Sequence, residues 1–203
     1  MKLLVTAFEP FGGEEINPAL EAVKLLPPSL GGAELLKLTV PTSFSRAADA
    51  VTAAILSEKP GAVLMIGQAG GRSAITPERA ALNIASASIA DNDGCRPVEE
   101  PIEPEGPAAY FSTLPIVNMV EAIRGEALPA SVSNTAGTFV CNYLMYSVLH
   151  FIAAHKLGVR AGFMHVPFAP EQTAKQLSPA PSMSVKDIER GIEAALGAVI
   201  GSI

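Results

Sequence analysis

The sequence predicts an α/β fold in which helices cover both faces of a mostly parallel, twisted sheet, giving a three-layer αβα sandwich. Short apolar segments rich in β-branched residues alternate with longer segments whose apolar residues recur at helical spacing, as parallel strands and their crossover helices do. The chain has 203 residues, 49% hydrophobic and 17% charged, enough to bury one sizeable core. We therefore expect one domain spanning residues 1–203.

The alternating segments predict the individual elements. We expect strands at Lys2–Phe8, Glu34–Val40, Ala62–Gly67, Ser131–Asn134 and Arg160–Val166. We expect helices at Pro18–Leu26, Ser45–Glu58, Ile116–Gly125, Phe139–Lys156 and Val185–Ile200. Ser184 is a suitable N-cap for the last helix, and Asp187 follows at the spacing of a capping box.

Two stretches between these elements have a different character. From Ala80 to Ala90, apolar and small polar residues alternate, which is typical of a half-buried antiparallel strand. The segment Arg96–Pro115 is rich in proline and acidic residues, so we predict a surface loop there.

Composition argues against several classes of function. The net charge is -6 with both signs interspersed, so no basic surface for nucleic acid or an anionic membrane is expected. The two cysteines, Cys95 and Cys141, predict neither a disulfide framework nor a zinc site, and we expect no metal or cofactor. Nowhere do about eighteen apolar residues run together, and the apolar start is too short for a signal peptide. These features predict a cytoplasmic protein.

Loops that follow the predicted strands are the places to look for a ligand, because crevices in open α/β sheets lie beyond the carboxyl ends of the strands. FEPFGG follows the first strand and contains Phe8 and Phe11, whose rings fit a ligand contact or the core equally well. The loop Gln68–Arg72 is made of small residues that let backbone amides approach a bound group, but it also fits a tight turn.

Cys141 is the candidate nucleophile. It stands near the predicted start of the helix Phe139–Lys156, where unpaired amides and the helix dipole are expected to lower a thiol pKa. A buried structural cysteine is the alternative. Cys95 has no comparable context.

His165 and Glu78 are the candidate partners of this thiol. His165 ends a predicted strand, where a crevice residue belongs, whereas His150 and His155 fall within the long helix. Glu78 has a carboxylate that can accept the second N–H of an imidazole. Alone, His165 would fit a structural histidine and Glu78 a solvated turn residue.

Several motifs together resemble a known family over nearly the whole chain. In order they are FEPFGG, GQAGGR, ITPERAALN, DNDG, SNTAGTFVCN and GFMHVPFAPEQ. They resemble the cysteine-type pyroglutamyl peptidases, also called pyrrolidone carboxyl peptidases. The resemblance implies a phosphorylase/hydrolase-like fold, no cofactor, a homotetramer, and a triad of Cys141, His165 and Glu78. It also implies that His165 keeps Cys141 as a thiolate, which cleaves after an N-terminal pyroglutamyl residue of peptides through a thioester.

The resemblance also places a substrate pocket. Its implied residues are Phe8, Phe11, Asn17, Gln68, Phe139 and Val140. Aromatic faces are expected to sandwich the flat pyroglutamyl ring, while amide groups near Gln68 and Val140 pair with the C=O and N–H of its lactam.

One position departs from the family pattern. Ser88 stands where many members have an arginine thought to assist the oxyanion. We therefore expect either that Arg72 or Arg79 compensates, or that turnover is reduced.

Two rival functions follow from the same residues. A phosphorylase-like transferase would use Gln68–Arg72 to cradle phosphate, although Cys141 and His165 would then have no role. A non-catalytic, peptide-binding member of the fold is suggested by Ser88.

Overall fold

The protein is described by a computed structural model that covers residues 1–174 and 176–203. Its strands are β1 (Lys2–Phe8), β2 (Ser29–Leu30), β3 (Ala33–Val40), β4 (Ala62–Gln68), β5 (Thr76–Pro77), β6 (Ala80–Leu82), β7 (Ala109–Phe111) and β8 (Arg160–Val166). Its helices are α1 (Pro18–Leu25), α2 (Phe44–Glu58), α3 (Ile116–Gly125), α4 (Val140–Ala154), α5 (Pro170–Thr173) and α6 (Val185–Ile200).

A six-stranded sheet forms the centre, in the order β2-β3-β1-β4-β8-β5. The four long strands β3, β1, β4 and β8 are parallel, and β2 and β5 add short antiparallel edges. The chain moves from β1 to β3 on one side and then crosses to β4 on the other. This reversal of direction opens a crevice at the carboxyl ends of β1 and β4.

Helices cover both faces of the sheet because successive strand residues point to opposite sides. On one face Leu3 and Val5 of β1 join the core formed with α1, α3 and α6. On the other face Leu4, Met65 and Phe163 join the core formed with α2 and α4. The predicted three-layer sandwich with a mostly parallel sheet is therefore confirmed.

The main elements begin and end close to their predicted bounds. The five helices and four of the five strands predicted from the alternating segments agree with the structure within two residues at each end. At the start of α6 the Ser184 hydroxyl accepts the Asp187 N–H at 3.1 Å, as predicted. The Asp187 carboxylate, however, accepts a hydrogen bond from that hydroxyl at 2.7 Å instead of reaching back to the backbone.

The predicted strand Ser131–Asn134 is wrong. This segment runs beside residues 75–79 but makes only isolated bridges, one of them between Glu78 and Ser133. Its neighbour contains Pro77, which has no N–H to donate, so a continuous ladder cannot form along it.

The predictions for residues 80–90 and 96–115 are partly right. Only β6, at Ala80–Leu82, is an antiparallel strand, paired with β7. It ends where the Ile84 N–H donates to the Leu82 carbonyl at 2.8 Å, a tight turn that breaks the extended chain. The strand β7 in turn lies within the predicted loop Arg96–Pro115. The short elements β2, β5 and α5 were not predicted.

Asn142 joins the start of α4 to the end of β6. Its side chain is fully buried. Its Oδ1 accepts the Leu82 N–H at 2.8 Å, and its Nδ2 donates to the carbonyls of Leu82 and Ile84, both at 2.9 Å. The amide therefore bonds three part-buried backbone groups, two of which, the Leu82 N–H and the Ile84 carbonyl, have no other partner among the described hydrogen bonds.

Replacing Asn142 by alanine should strongly destabilise the protein. Each backbone group left without a partner costs about 1–3 kcal/mol, so we expect Asn142→Ala to lower the free energy of unfolding by at least about 2 kcal/mol, measured by urea denaturation. Asn118→Ala, at an exposed position of α3, is the matched control and should change it by less than about 0.5 kcal/mol. Equal effects of the two variants would contradict this account of Asn142.

Candidate active site

The candidate catalytic residues meet at the carboxyl edge of the sheet. His165 is the penultimate residue of β8, and Glu78 follows directly after β5, which pairs with β8 through Thr76 and His165. Cys141 lies in the first turn of α4. Segments far apart in the sequence thus contribute to one small region.

A glycine lets the Cys141 sulfur approach the sheet. A Cβ atom added at Gly67 would lie 2.9 Å from Cys141 Sγ and 2.8 Å from Phe163 Cζ, closer than any side chain allows. Gly67 is the register partner of His165 across β4 and β8. The sulfur therefore rests against the strand position next to His165, on the face covered by α4. Within the described residues no hydrogen bond joins the sulfur to the imidazole.

His165 is held by a buried carboxylate. Its Nδ1 lies 2.7 Å from Oε1 of Glu78, and the two side chains are 4% and 0% exposed. Arg72 Nη1 lies 2.6 Å from the same oxygen, so Oε1 contacts two donors. The other oxygen, Oε2, has no hydrogen-bond partner in the described part of the chain. The Ser133 hydroxyl donates to the Thr135 carbonyl at 3.1 Å instead.

The electrostatics of this pair favour an ionised Glu78 and a neutral His165. Burial alone would raise the pKa of Glu78, but the hydrogen bond and charge of His165, together with the charge of Arg72, hold that pKa below its usual range. Burial lowers the pKa of His165 despite the opposing effect of the Glu78 carboxylate. An ionised carboxylate accepts only, so Nδ1 carries the imidazole proton and Nε2 is the free, basic nitrogen.

The surroundings of Cys141 raise its thiol pKa, contrary to the sequence prediction that the helix start lowers it. Cys141 is half-buried as a residue, but its sulfur lies in the interior against Gly67. Burial, followed by the negative charge of Glu78, raises the thiol pKa to about 12, although Arg72 and the backbone N–H of Cys141 oppose this. The increase in the thiol pKa caused by burial is therefore larger than the decrease caused by the start of the helix. Both shifts favour a thiol and a neutral imidazole as the resting pair over a thiolate held by His165.

Backbone N–H groups surround the thiol at the start of α4. Phe139 occupies the N-cap position, and within the described residues no side-chain hydrogen bond caps this helix. The first N–H groups of a helix have no carbonyl partner within it, so those of Val140, Cys141 and Asn142 are open to an anion.

A cleft of about 900 Å³ opens beside these amides. It is lined by Phe11, Gly70, Ser86, Ala87, Ser88, Ile89, Ala136, Gly137, Thr138 and Phe139. Of the six predicted pocket residues, two therefore line this cleft, Phe11 and Phe139.

The other four predicted pocket residues do not line this cleft. Phe8 and Val140 are buried in the core shared with α2 and α4. Asn17 is the buried N-cap of α1, where its Oδ1 accepts the Ala19 N–H at 3.1 Å. Gln68 ends β4 and accepts a hydrogen bond from Gln172 at 3.0 Å.

The two cleft rings do not form an open sandwich. Phe11 and Phe139 have ring centroids 6.2 Å apart at an interplanar angle of 43°. Carbon atoms in contact lie about 3.5–4.0 Å apart, so parallel rings on both faces of a flat ligand stand roughly 7–8 Å apart. The rings must separate and turn to admit such a ligand between them. Phe139 is held by Phe44, 5.4 Å away edge to face, whereas Phe11 precedes two exposed glycines.

Neither arginine proposed to compensate for Ser88 lines the cleft. Ser88 is exposed at the cleft. Arg72 contacts Glu78 and Thr76, and Arg79 donates from Nε to Asn134 Oδ1 at 3.0 Å. Both guanidinium groups are therefore engaged elsewhere, and the structure provides no support for compensation.

Three contributors to the site were not assigned their roles from the sequence. Gly67 leaves room for the sulfur of Cys141, Arg72 contacts the carboxylate of Glu78, and Gln172 contacts Gln68. The sequence features that could have indicated these roles are the position of Gly67 near the end of an apolar strand, Arg72 within the motif GQAGGR and Gln172 within the motif GFMHVPFAPEQ.

Two further observations concern metal-binding clusters and membrane-spanning helices. Across residues 1–174 and 176–203, no group of three or more His, Cys, Asp or Glu residues is arranged to hold a metal ion. In the same part of the chain, no helix has both the length and the apolar character needed to cross a membrane.

The protonation state of Cys141 can be tested by alkylation in a Cys95→Ser background, which removes the exposed second thiol. Iodoacetamide reacts with the thiolate, and a thiol pKa of about 12 leaves Cys141 protonated across the neutral range. The rate should therefore rise about tenfold per pH unit from about pH 6 to about pH 9. The urea-unfolded chain is the control and should level off near its ordinary pKa of about 8.5. A rate in the folded protein that is already constant near neutrality would show a preformed thiolate.

Comparison with known proteins identifies the family of this chain. Residues 1–202 match the family described as pyroglutamyl peptidase. The pyrrolidone-carboxylate peptidase of Levilactobacillus brevis is 52% identical over 200 residues, covering 98% of each chain. The corresponding protein of Streptococcus pyogenes serotype M12 is 55% identical over 200 residues, covering 98% of this chain and 93% of that protein.

Solved structures agree in fold as well. Pyroglutamyl peptidase I from Bacillus amyloliquefaciens superposes with a TM-score of 0.95 at 44% identity, covering 98% of this chain and 97% of that one. A mutant pyrrolidone carboxyl peptidase from the hyperthermophile Pyrococcus furiosus gives a TM-score of 0.96 at 38% identity, with full coverage of both chains. The chain belongs to the pyroglutamyl peptidase family.

Proposed function

We propose that this protein is a cysteine exopeptidase that hydrolyses the bond after an N-terminal pyroglutamyl residue of peptides. The observation that carries the proposal is the position of the Cys141 sulfur against Gly67, the register partner of His165, whose imidazole is held by Glu78. A thiol beside an oriented imidazole is the arrangement that nucleophilic acyl transfer needs. Membership of the family supplies the pyroglutamyl substrate class.

The first step is attack on the carbonyl that joins pyroglutamate to the next residue. Because the resting thiol is protonated, His165 Nε2 takes the sulfur proton as the S–C bond forms. The resulting imidazolium donates from Nδ1 to the ionised Glu78, which stabilises the positive charge at the moment it appears. Substrate must bring sulfur and imidazole into line, since no hydrogen bond joins them in the described structure.

The negative charge that develops on the carbonyl oxygen needs donors. The open N–H groups at the start of α4 supply them next to the attacking sulfur. Removing one such donor from an enzyme typically costs about 2.7–4 kcal/mol in activation free energy. A tetrahedral intermediate bound there collapses as His165 protonates the leaving amine, and the acyl group remains on sulfur as a thioester.

Hydrolysis of the thioester completes the cycle. His165, neutral again, takes a proton from water, and the hydroxide adds to the thioester carbonyl. The C–S bond breaks, the thiolate of Cys141 regains its proton from the imidazolium, and free pyroglutamate leaves. The same base thus serves both half-reactions, as in other thiol acyl transfers.

The cleft provides surroundings suited to a neutral, flat ring. Phe11 and Phe139 offer apolar faces, and the residues beside them are mostly small. The pyroglutamyl ring lacks a charged amine, and no charged side chain lines this cleft in the described structure. A homotetrameric assembly and a cytoplasmic location stay predictions.

An assay with a fluorogenic pyroglutamyl amide tests the proposal. The wild-type protein should release the fluorophore under reducing conditions, and prior alkylation should abolish release. Cys141→Ser should lower kcat/KM by at least about a thousandfold, because the nucleophile is lost. Cys95→Ser is the matched control and should retain activity, since Cys95 lies outside the cleft lining.

The outcomes also separate the rival functions. No turnover by the wild type would refute the peptidase proposal, and binding of a pyroglutamyl peptide without turnover would favour a non-catalytic member. Cleavage that requires inorganic phosphate and survives Cys141→Ala would favour a transferase.

Because Ser88 stands where many family members have an arginine, the oxyanion is predicted to have one charged hydrogen-bond donor fewer in this protein. Ser88→Arg adds a guanidinium at the exposed cleft position, and we expect kcat/KM for the pyroglutamyl amide to rise about tenfold, less than the full effect of a preorganised donor. Ala90→Arg adds the same charge at an exposed neighbour outside the cleft lining and serves as the control. Unchanged or lower efficiency of Ser88→Arg would show that no donor is missing.

A further inference from the structure

Gln172 connects two parts of the candidate pocket. It lies in α5, just after β8, and its Nε2 donates to Gln68 Oε1 at 3.0 Å and to Glu14 Oε2 at 3.2 Å. Its Oε1 accepts the backbone N–H of Ala169 at 3.0 Å. The side chain is half-buried. One amide therefore joins the end of β4, the loop after β1 and the segment that follows His165.

These contacts determine which way both amides face. The nitrogen and oxygen of a glutamine side chain are assigned from their partners. A backbone N–H can only donate, so the atom of Gln172 that faces Ala169 must be its oxygen. The remaining NH₂ of Gln172 faces the ionisable carboxylate of Glu14 and the side chain of Gln68. The atom of Gln68 that meets this NH₂ must then be an acceptor, its own oxygen.

Gln68 is left with its donor group available. Its Oε1 is occupied by Gln172, and among the described residues no hydrogen bond uses its Nε2. We propose that Gln172 is a positioning residue that orients the Gln68 side chain. In this orientation the Gln68 amide donates a hydrogen bond to the lactam carbonyl of the pyroglutamyl substrate. This inference rests on the proposed function. A donor at this place matches an acceptor on the ligand, and a site built to pair that acceptor rejects ligands without it.

The link to Glu14 gives the same side chain a second effect. The Glu14 N–H donates to the carbonyl of Phe11 at 3.2 Å, so this contact closes the loop that carries a cleft ring. Gly12 and Gly13 within the loop have φ of +65° and +82°. The Gln172 side chain thus contacts both the Gln68 amide and, through Glu14, the loop that carries Phe11.

The substitution Gln172→Glu tests the donor assignment. It keeps an oxygen for Ala169 but puts a second oxygen where the NH₂ met Gln68. Two acceptors cannot bond, so the Gln68 amide must turn and present its oxygen to the pocket. We expect KM for the pyroglutamyl amide to rise about tenfold, the size of one lost hydrogen bond, with kcat within about threefold of wild type. A Glu14→Gln background removes repulsion between the two carboxylates and should preserve this result.

Two controls separate this role from a general structural one. Asn118→Asp makes the same amide-to-carboxylate change at an exposed residue of α3, and it should leave KM within about twofold. In a Gln68→Met background, Gln172→Glu should raise KM no further, because the amide it acts through is gone. An equal rise in that background, or a fall in kcat with KM unchanged, would overturn the proposal.

Binding to an inactive protein makes the test independent of turnover. In the Cys141→Ser variant, Gln172→Glu should weaken binding of free pyroglutamate about tenfold by calorimetry. If the wild type failed to hydrolyse the amide, the proposed function would fall while this binding result still decided the role of Gln172. Unchanged pyroglutamate affinity would overturn that role even in an active enzyme.

Discussion

The buried carboxylate of Glu78 is the constraint on which the site depends. A buried charge is tolerated only when it is paired and hydrogen-bonded, and Glu78 meets this requirement through His165 and Arg72 on a single oxygen. Its backbone N–H donates to the Phe163 carbonyl at 2.9 Å, which ties the carboxylate to β8 as well. The imidazole is thereby oriented, its tautomer is set, and the strand that carries it is joined to the edge of the sheet.

Cys141, the proposed nucleophile, is positioned by packing and not by a charge. Its sulfur reaches the sheet because Gly67 has no side chain, and its helix is joined to β6 by the buried amide of Asn142. In the resting protein the thiol and the imidazole are both neutral. In the proposed mechanism, proton transfer from the sulfur to the imidazole is therefore part of the attack. Binding of the substrate, which must also part the rings of Phe11 and Phe139, then prepares the site for reaction.

Sequence reasoning predicted which residues meet at the carboxyl edge of the sheet, but it did not predict the contacts among them. Cys141 and His165 could be nominated because strand and helix ends are readable from periodicity, and parallel strands place their ends together. The contact of Gly67 with the sulfur depends on the register of β4 against β8, which no local pattern specifies. The thiol pKa was predicted in the wrong direction because burial of the sulfur, a tertiary property, outweighs the local effect of the helix terminus. The strand at 131–134 failed because Pro77, on a neighbouring segment, interrupts its ladder.

The pairing of β5 with β8 also affects how the site comes into being during synthesis. Glu78 and His165 are separated by 87 positions in the chain. The edge strand that precedes Glu78 pairs with β8 and with no other strand of the described sheet, and such distant pairings are among the slower events of folding. A nascent chain that already exposes Cys141 therefore has no base until β8 leaves the ribosome. Catalytic competence appears late and together with the completed sheet, so truncated or half-folded chains carry a cysteine without the means to use it as a peptidase.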